Sequence, residues 1–470
     1  MTPGWMPSST CCGSRVNTMT DFANSSLTAL LSPEGHRCAC GVTHAAAPLR
    51  HLAIGPGVLR GAPDMLSRIG SARPFIVCDE NTYAAAGDAL LGILRARGVP
   101  YTLFVFPNSK QKIEPDERAC GAAMMAFDPA CDAVAAVGSG VVGDVCKVLS
   151  HATGRPQLSV ATAPSMDGFA SSNASMIQNG VKVTLYPGCP VAILCDVDIV
   201  KNAPMHMLHA GLGDMLAKYI SIYEWRVSGL VAGEYYCENV AALVRHSLRR
   251  CVSKADGLMR RDPDAVSAVV EGLVLSGLAM TFAGISRPAS GLEHYYSHLW
   301  EMFALLRGEP SELHGIQVGV GALLTLEILE KLSAVTPDRA LAERAARDFS
   351  APAWEARMRD IFGLTADAVI EAEKNTYHKN DPVKHAARLD KIIAHWPQIL
   401  SILREEIPPM ADIAALMRRL GMPTTPADIG IAKPDVRRAL LGSREIRDKY
   451  LTSSLLWDIG LLDVFADAQE

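Results

Sequence analysis

The chain has no surplus of positive charge, since 45 Lys and Arg stand against 50 Asp and Glu and leave a net charge of -5. Nucleic-acid binders carry a basic surplus, so small-molecule ligands are the better expectation. Internal repeats and low-complexity tracts are also missing. The first residues, MTPGWMPSSTCCGSRVNT, have neither a basic n-region nor an apolar core of signal-peptide length. They imply no secretion, and Met19 is a candidate start. The longest apolar stretch, Ser267 to Ser286, is broken by Glu271 and by several glycines and alanines, which suits a helix buried between neighbours better than a membrane span. The 12 cysteines are scattered through apolar stretches and form no disulfide frame, so the expected compartment is a reducing cytoplasm.

What is present is an ordinary globular composition: 49% apolar and 20% charged residues, with a mean hydropathy of +0.14. At 470 residues the chain exceeds what one hydrophobic core serves, and two domains are expected. From about residue 50 to 200, short apolar runs end in turn residues and alternate with helical stretches, which predicts an α/β domain with a Rossmann-like parallel sheet. The strand candidates are Pro74 to Thr82, Tyr101 to Pro107, Ala133 to Gly140, Gln157 to Pro164 and Pro190 to Asp198. Helices are predicted near 82–97, 116–127 and 143–153, and Val181 to Pro190 reads as a hairpin arm turning at Pro187-Gly188. Beyond Asn202-Ala203-Pro204 the strand-like runs stop, and Ala, Leu, Glu and Arg at helical spacing predict an all-α C-terminal domain. Its helices are expected to include 205–232, 234–256, 425–431 and 447–453. The expected division is a flexible extension over 1–35, an α/β domain over 36–203 and a helical domain over 204–470; nucleotide binding by the first domain, metal and substrate binding by the second, and an active site in the cleft between them are what the motif resemblance described below implies.

Gly138-Ser139-Gly140-Val141-Val142-Gly143 follows a buried-strand run and opens a helical segment, matching G-x-G-x-x-G in context. Glycines there let the backbone approach a pyrophosphate, and the helix N-terminus supplies unpaired amides; a ligand-free tight turn is the alternative. Asp79, at the end of an earlier strand, is a candidate ribose-reading carboxylate. ATAPSMDGFASSNAS (Ala161 to Ser175) runs from a strand end into a polar loop with Thr162, Ser165, Asp167, Ser171 and Ser172. Ligands favour such loops, although Asp167 beside Gly168 equally suits a plain turn.

In the helical half, GLGDMLAKY, SRPASGLEHYYSH and LHGIQVGVG set polar groups among glycines. Asp214, His294 and His314 offer one oxygen and two nitrogens, a set that takes a divalent transition metal and leaves positions open. Spacings of 80 and 20 residues make no local motif, so satisfied buried polar groups are the competing reading. His298 lies one helical turn beyond His294 on the same face and is a candidate proton carrier or a surface imidazole. Cys38, Cys40 and His44 in HRCACGVTH lack the second ligand pair of a structural zinc site, and the segment reads as a small turn with buried thiols.

Together GSGVVGD, TAPSMDGFASS, GLGDMLAKY, SRPASGLEHYYSH and LHGIQVGVG, in that order, resemble the sn-glycerol-1-phosphate dehydrogenase family. The likeness is to its bacterial branch related to the arabinose-operon protein of bacilli, within the iron-containing alcohol dehydrogenase and dehydroquinate synthase-like superfamily. It spans about residues 35–440. The resemblance implies that Asp214, His294 and His314 hold one catalytic divalent metal, zinc by default with nickel or iron as alternatives. It implies that Asp167, Asp214 and His298 contact the substrate. It implies NAD(H) or NADP(H) on Gly140, Val141, Val142, Gly143, Asp144, Thr162, Ser165 and Ser171, with Asp79 at the adenosine ribose. Ser139 and Gly143 depart from the residues common at those family positions.

The implied reaction is reversible reduction of dihydroxyacetone phosphate to sn-glycerol 1-phosphate, the metal polarising the ketone for hydride transfer. Lys218 and Arg287 are the candidate donors to the substrate phosphate. A homodimer is the family expectation. The alternatives are a dehydrogenase of another polyol or sugar phosphate, a dehydroquinate synthase-like cyclase on the same scaffold, and a non-catalytic nucleotide-binding partner protein.

Overall fold

The computed structural model describes residues 19–107, 113–179 and 181–469. Six strands form one parallel sheet: β1 (His51–Gly55), β2 (Pro74–Asp79), β3 (Thr102–Phe106), β4 (Ala133–Gly138), β5 (Gln157–Ala161) and β8 (Ala192–Asp196). Their spatial order is β1-β8-β5-β4-β2-β3, every neighbouring pair being parallel. The strands read as nearly continuous apolar runs because both faces are covered. On β2, Ile76 and Cys78 face a core shared with α1 (Ala62–Arg68) and α2 (Asp88–Ala96). Phe75 and Val77 point the other way, to α3 (Glu117–Ala126) and α4 (Gly140–Thr153). The chain runs from β2 outward to β3 and then back across to β4, so the carboxyl ends of β2 and β4 flank the point where strand order reverses. Open α/β sheets bind ligands there.

Several sequence expectations are corrected. β1 was not among the strand candidates; its HLAIG run is only half buried at the sheet edge, which weakens its signal. The hairpin is real, but β7 (Val181–Leu185) pairs back onto β6 (Ala174–Gln178), so it turns after Gln178 and not at Pro187-Gly188. Asn179 takes the left-handed φ of 50° that such a turn requires. Helix α4 starts three residues earlier than expected, so the glycine-rich turn is itself the helix N-terminus. Residues 205–232 form two helices, α5 (Met205–Leu216) and α6 (Lys218–Val231), broken at Ala217. Residues 425–431 hold only the single 3-10 turn Pro426–Ile429, and the helix expected at 447–453 is Thr452–Asp458.

Residues 1–18 of the expected extension lie outside the described residues. Phe22 and Leu30 are buried in the same core as Leu278 and Phe282 of the helical domain. Cys38, Ala47 and Leu49 join that core, so 36–49 packs with the helical domain although it precedes the sheet in sequence.

The helical domain is built around α8 (Pro263–Ala283), flanked by α5 and α7 (Glu238–Lys254). By length and composition α8 is apolar enough to cross a membrane, but most of it is buried inside the protein. Beside it α9 (Leu292–Arg307) packs on α10 (His314–Leu332), and α10 crosses α5.

Glycine makes that last crossing close. A Cβ on Gly315 would sit 2.0 Å from the Ala210 carbonyl oxygen, and one on Gly213 would sit 2.2 Å from the Gly315 carbonyl oxygen. Asp214 and His314 each adjoin one of these glycines, so the approach of the two backbones sets how near those side chains come. Gly315→Ala is expected to cost about 1–3 kcal/mol through overpacking, read as a lowered unfolding midpoint. An unchanged midpoint would show that the helices separate freely at this crossing.

Candidate active site

The loop after β5 reaches the helical domain at Gly211, where a Cβ would lie 1.9 Å from the Pro164 carbonyl oxygen. This contact brings Asp167 over α5 and α8. The Asp167 amide donates to Asp214 Oδ2 at 2.9 Å, and its carboxylate accepts from Ser276 Oγ at 2.8 Å. Lys218 Nζ donates to Asp167 Oδ2 at 2.9 Å, Asp214 Oδ1 at 2.8 Å and the Ala289 carbonyl oxygen at 3.0 Å. Lys218 and Asp214 are fully buried. Burial alone would raise the Asp214 carboxyl, but the Lys218 ammonium and the neighbouring imidazoles hold it well below the usual carboxylate range. Burial likewise opposes the Lys218 charge, and the two carboxylates push its titration above the ordinary lysine value.

Next to this trio lies a patch of imidazoles. His294 Nε2 is 3.5 Å from Asp214 Oδ1, and the His294 and His314 ring centres are 5.3 Å apart. His294 Nδ1 donates to Glu293 Oε1 at 2.9 Å, which turns Nε2 toward Asp214; burial opposes the imidazolium, and the two carboxylates raise its titration above the ordinary histidine value. His314 is set the same way. Ser297 Oγ spends its proton on Gln317 Oε1 at 2.9 Å and therefore accepts from His314 Nδ1 at 3.0 Å, which leaves His314 Nε2 as a lone pair. One buried carboxylate and two imidazoles thus lie side by side, His294 beside Asp214 and His314 beside His294. That donor set fits a divalent metal, each imidazole being oriented by an outer partner.

His298, half buried, stands 5.6 Å from His314 and 6.4 Å from His294, ring centre to ring centre. Glu301 lies beyond it, 3.8 Å from His298 Nδ1 and 3.4 Å from His314 Nδ1, and takes an ion pair from Lys182 of β7. His298, Glu301 and His314 offer ligand atoms within 4.8 Å of one another, so two potential ligand sets share His314. Glu301 is held well below the usual range: burial would raise it, while Lys182 and the two histidines lower it. Burial lowers His298, and Arg447 and Lys182 add to the effect.

At the switch point, the amides of Gly140, Val141 and Val142 precede the first intrahelical bond of α4, which Gly143 N makes to Ser139 O at 2.8 Å. Ser139 Oγ meets Ser165 Oγ at 2.7 Å, and the Thr162 amide donates to the Gly138 carbonyl oxygen at 3.2 Å, so the two strand-end loops are fastened together. A Cβ on Gly143 would face open space, so the glycine at this position leaves room above the turn.

Other predicted residues hold the structure together. Asp144 is buried, 3.1 Å from Lys147 Nζ, and accepts from the Ser175 amide at 3.0 Å; Lys147 also donates to Ser171 Oγ at 3.3 Å. Both Asp144 and Ser171 therefore brace the Asp167 loop from behind. Asp79 stands at the carboxyl end of β2, with Oδ1 accepting from the Thr82 amide at 2.8 Å. Arg287, offered as a phosphate donor, is buried, pairs with Glu234 and donates to the Tyr450 carbonyl oxygen at 2.9 Å.

Sequence reasoning missed Glu293, Glu301, Ser276, Lys182 and Arg447. Glu293 and Glu301 carried a readable signal: one immediately precedes His294, and the other lies three residues after His298 on the same helix face.

Comparison with known proteins agrees with this geometry. The family model for iron-containing alcohol dehydrogenase matches residues 53–204. The glycerol-1-phosphate dehydrogenase of Halalkalibacterium halodurans is 35% identical over 288 residues, 61% of this chain and 72% of the relative. Its namesake in Bacillus licheniformis is 28% identical across 90% of this chain and 93% of the relative. Among solved structures, a glycerol dehydrogenase from Schizosaccharomyces pombe (TM-score 0.57, 14% identity) covers 90% of both chains. A maleylacetate reductase from Agrobacterium tumefaciens (TM-score 0.58, 15% identity) covers 89% of this chain and 96% of its own. The fold is that of the iron-containing alcohol dehydrogenase class of two-domain enzymes. Within that class the chain belongs to the glycerol-1-phosphate dehydrogenase family.

Lys218→Met is expected to leave the buried Asp214 and the half-buried Asp167 without their cation and to destabilise the protein by about 3–5 kcal/mol. A thermal or urea melt that matches the unsubstituted protein would show that the trio does not carry the join between loop and helices.

Proposed function

We propose that the protein interconverts dihydroxyacetone phosphate and sn-glycerol 1-phosphate with NAD(H) or NADP(H), using one divalent metal held by Asp214, His294 and His314. The observation that carries this reading is the buried Asp214 carboxylate with the His294 and His314 imidazoles beside it, in a chain whose relatives bear that enzyme's name. A bound metal supplies Lewis-acid polarisation of a ketone, and a nicotinamide supplies hydride. Zinc is the default ion for such a set, with nickel and iron as alternatives.

The chain's own residues have defined tasks. Lys218 keeps Asp214 and Asp167 ionised, and Glu293 and Ser297 keep the imidazole tautomers correct. The amides of Gly140, Val141 and Val142 receive the dinucleotide pyrophosphate beside Gly143, Thr162 and Ser165, and Asp79 reads the ribose hydroxyls. Asp144 and Ser171 serve that site by bracing the loop. His298 carries the proton to and from the substrate oxygen.

For the substrate phosphate, Lys218 and Arg287 are fully buried among internal partners. Lys182, paired with Glu301, and Arg447, bound to Thr184, are only partly buried, their charges are felt at His298, and they are the better donors. A homodimer and a cytoplasmic setting complete the reading; ten free cysteines among the described residues suit a reducing compartment.

The test is NADH oxidation with dihydroxyacetone phosphate after chelator stripping and separate restoration with zinc, nickel and iron. Metal-dependent turnover is expected. Turnover only with another phosphorylated ketone would move the substrate, and no turnover together with no bound metal would overturn the enzyme reading. Lys182→Ala or Arg447→Ala should raise KM for dihydroxyacetone phosphate by about tenfold or more, the loss of one charge-assisted hydrogen bond. Unphosphorylated dihydroxyacetone should be used no worse than before; an equal loss on both substrates would remove these residues from the phosphate site.

A further inference from the structure

The HRCACGVTH segment forms a two-stranded ladder in which His36–Arg37 pairs with Thr43–His44. Along the sequence its two cysteines and His44 are one ligand short of a metal site. The fold provides the fourth. Cys237, the N-cap residue of α7, comes 3.5 Å from Cys38 Sγ and 3.5 Å from His44 Nε2, and Cys40 Sγ lies 3.6 Å from the same nitrogen. All four donor atoms fall within 4.8 Å of one another.

These spacings have a meaning. A tetrahedral zinc with ordinary Zn–S and Zn–N bonds separates sulfur from nitrogen by about 3.5 Å and sulfur from sulfur by about 3.8 Å. The observed sulfur–nitrogen edges match, and the sulfur–sulfur edge at 3.5 Å is slightly short.

The surroundings are also prepared. His44 Nδ1 lies 2.7 Å from the Phe282 carbonyl oxygen, which can only accept, so the proton is on Nδ1 and the Nε2 lone pair faces the sulfurs. That is how metal-binding imidazoles are held. Tyr235 Oη stands 3.1 Å from Cys40 Sγ, and Asn239 Nδ2 donates to Cys38 Sγ at 3.5 Å, so two thiolates have hydrogen-bond donors at hand. The Phe22 ring packs edge-on to His44 at 5.3 Å and screens that flank. Cys237 also places its sulfur at the start of a 17-residue helix, where the dipole favours negative charge.

We propose that Cys38, Cys40, His44 and Cys237 form a second metal site, a closed four-coordinate structural zinc centre separate from the catalytic cleft. Three thiolates select a soft ion, and a full ligand set leaves no position for substrate. The ion would clamp the N-terminal segment to α7; that segment is otherwise joined to the helix by Phe22 N donating to Asn239 Oδ1 at 3.2 Å and by the Asn239 contact with Thr20.

The full-length protein tests this directly. The catalytic ligands contain no sulfur, so in the cobalt(II)-loaded protein a near-ultraviolet thiolate-to-cobalt charge-transfer band reports this site alone. The band is expected in the unsubstituted protein and should be lost in Cys237→Ser. Zinc content should fall from about two equivalents per chain to about one in the same variant. If Cys237→Ser does not fold, Cys40→Ser, altered at the outer edge of the cluster, should weaken retention against chelator and shift the band. Absence of the band in the cobalt-loaded unsubstituted protein, or peptide mapping that finds a Cys38–Cys237 disulfide as the resident state, would overturn the proposal.

Discussion

A single buried ammonium holds the site together. Lys218 sits between a carboxylate on the preceding helix and a carboxylate on a loop that starts at the end of a sheet strand, so one charge joins the two architectures. Such a group is stable only if every partner is in place, because the desolvation cost of a buried ion is recovered through close and complete pairing. The requirement extends outward: Ser276 satisfies Asp167, the Asp167 amide satisfies Asp214, and the loop that presents Asp167 is braced from behind by Asp144 and Lys147. Polar satisfaction here also determines distance, since a loop tied at both ends cannot drift from the imidazoles opposite.

The carboxyl pair Glu224 and Glu293 shows the same economy one layer further out. Glu224 accepts from the Leu292 and Thr452 amides at 3.1 and 2.7 Å, and Glu293 accepts from the Gly291 amide at 2.6 Å as well as from His294. A Cβ on Gly291 would lie 2.7 Å from a Glu224 oxygen and 2.8 Å from a Glu293 oxygen, so glycine is required between them. Burial, and then Glu293, pushes Glu224 up to about 7. The start of α9 is thereby anchored by acids whose backbone partners orient the helix that carries His294 and His298.

Much of this was legible in the sequence. The parallel sheet was readable because strands covered on both faces leave continuous apolar runs, and Asp214, His294, His298 and His314 stood out because glycines let their backbones approach one another. What stayed hidden depends on partners far along the chain. Cys237 gives no local sign that it meets Cys38, and Lys182 and Arg447 look like surface cations until the hairpin and the C-terminal turn are folded beside α9. Lys218 and Arg287 were assigned to a ligand because composition cannot tell a cation that awaits an anion from one whose partners are already inside the protein. The hairpin turn was read at Pro187-Gly188 because proline is a strong punctuator, but register is settled by which strands pair, and that puts the turn after Gln178.

The arrangement of the sheet also dictates an order of assembly. Among the described residues β1 has no strand neighbour other than β8, and the two are brought into register from His51 against Ala192 to Gly55 against Asp196, 141 residues later in the chain. During synthesis this strand must therefore wait until β8 has been made before its edge is covered. Nascent chain in that interval carries an unpaired strand, the state in which chaperone capture and mispairing compete with folding. The segment around Phe22 and Cys38 waits longer still, because its contacts are with α7, so it reaches its final place after the sheet that follows it in the chain.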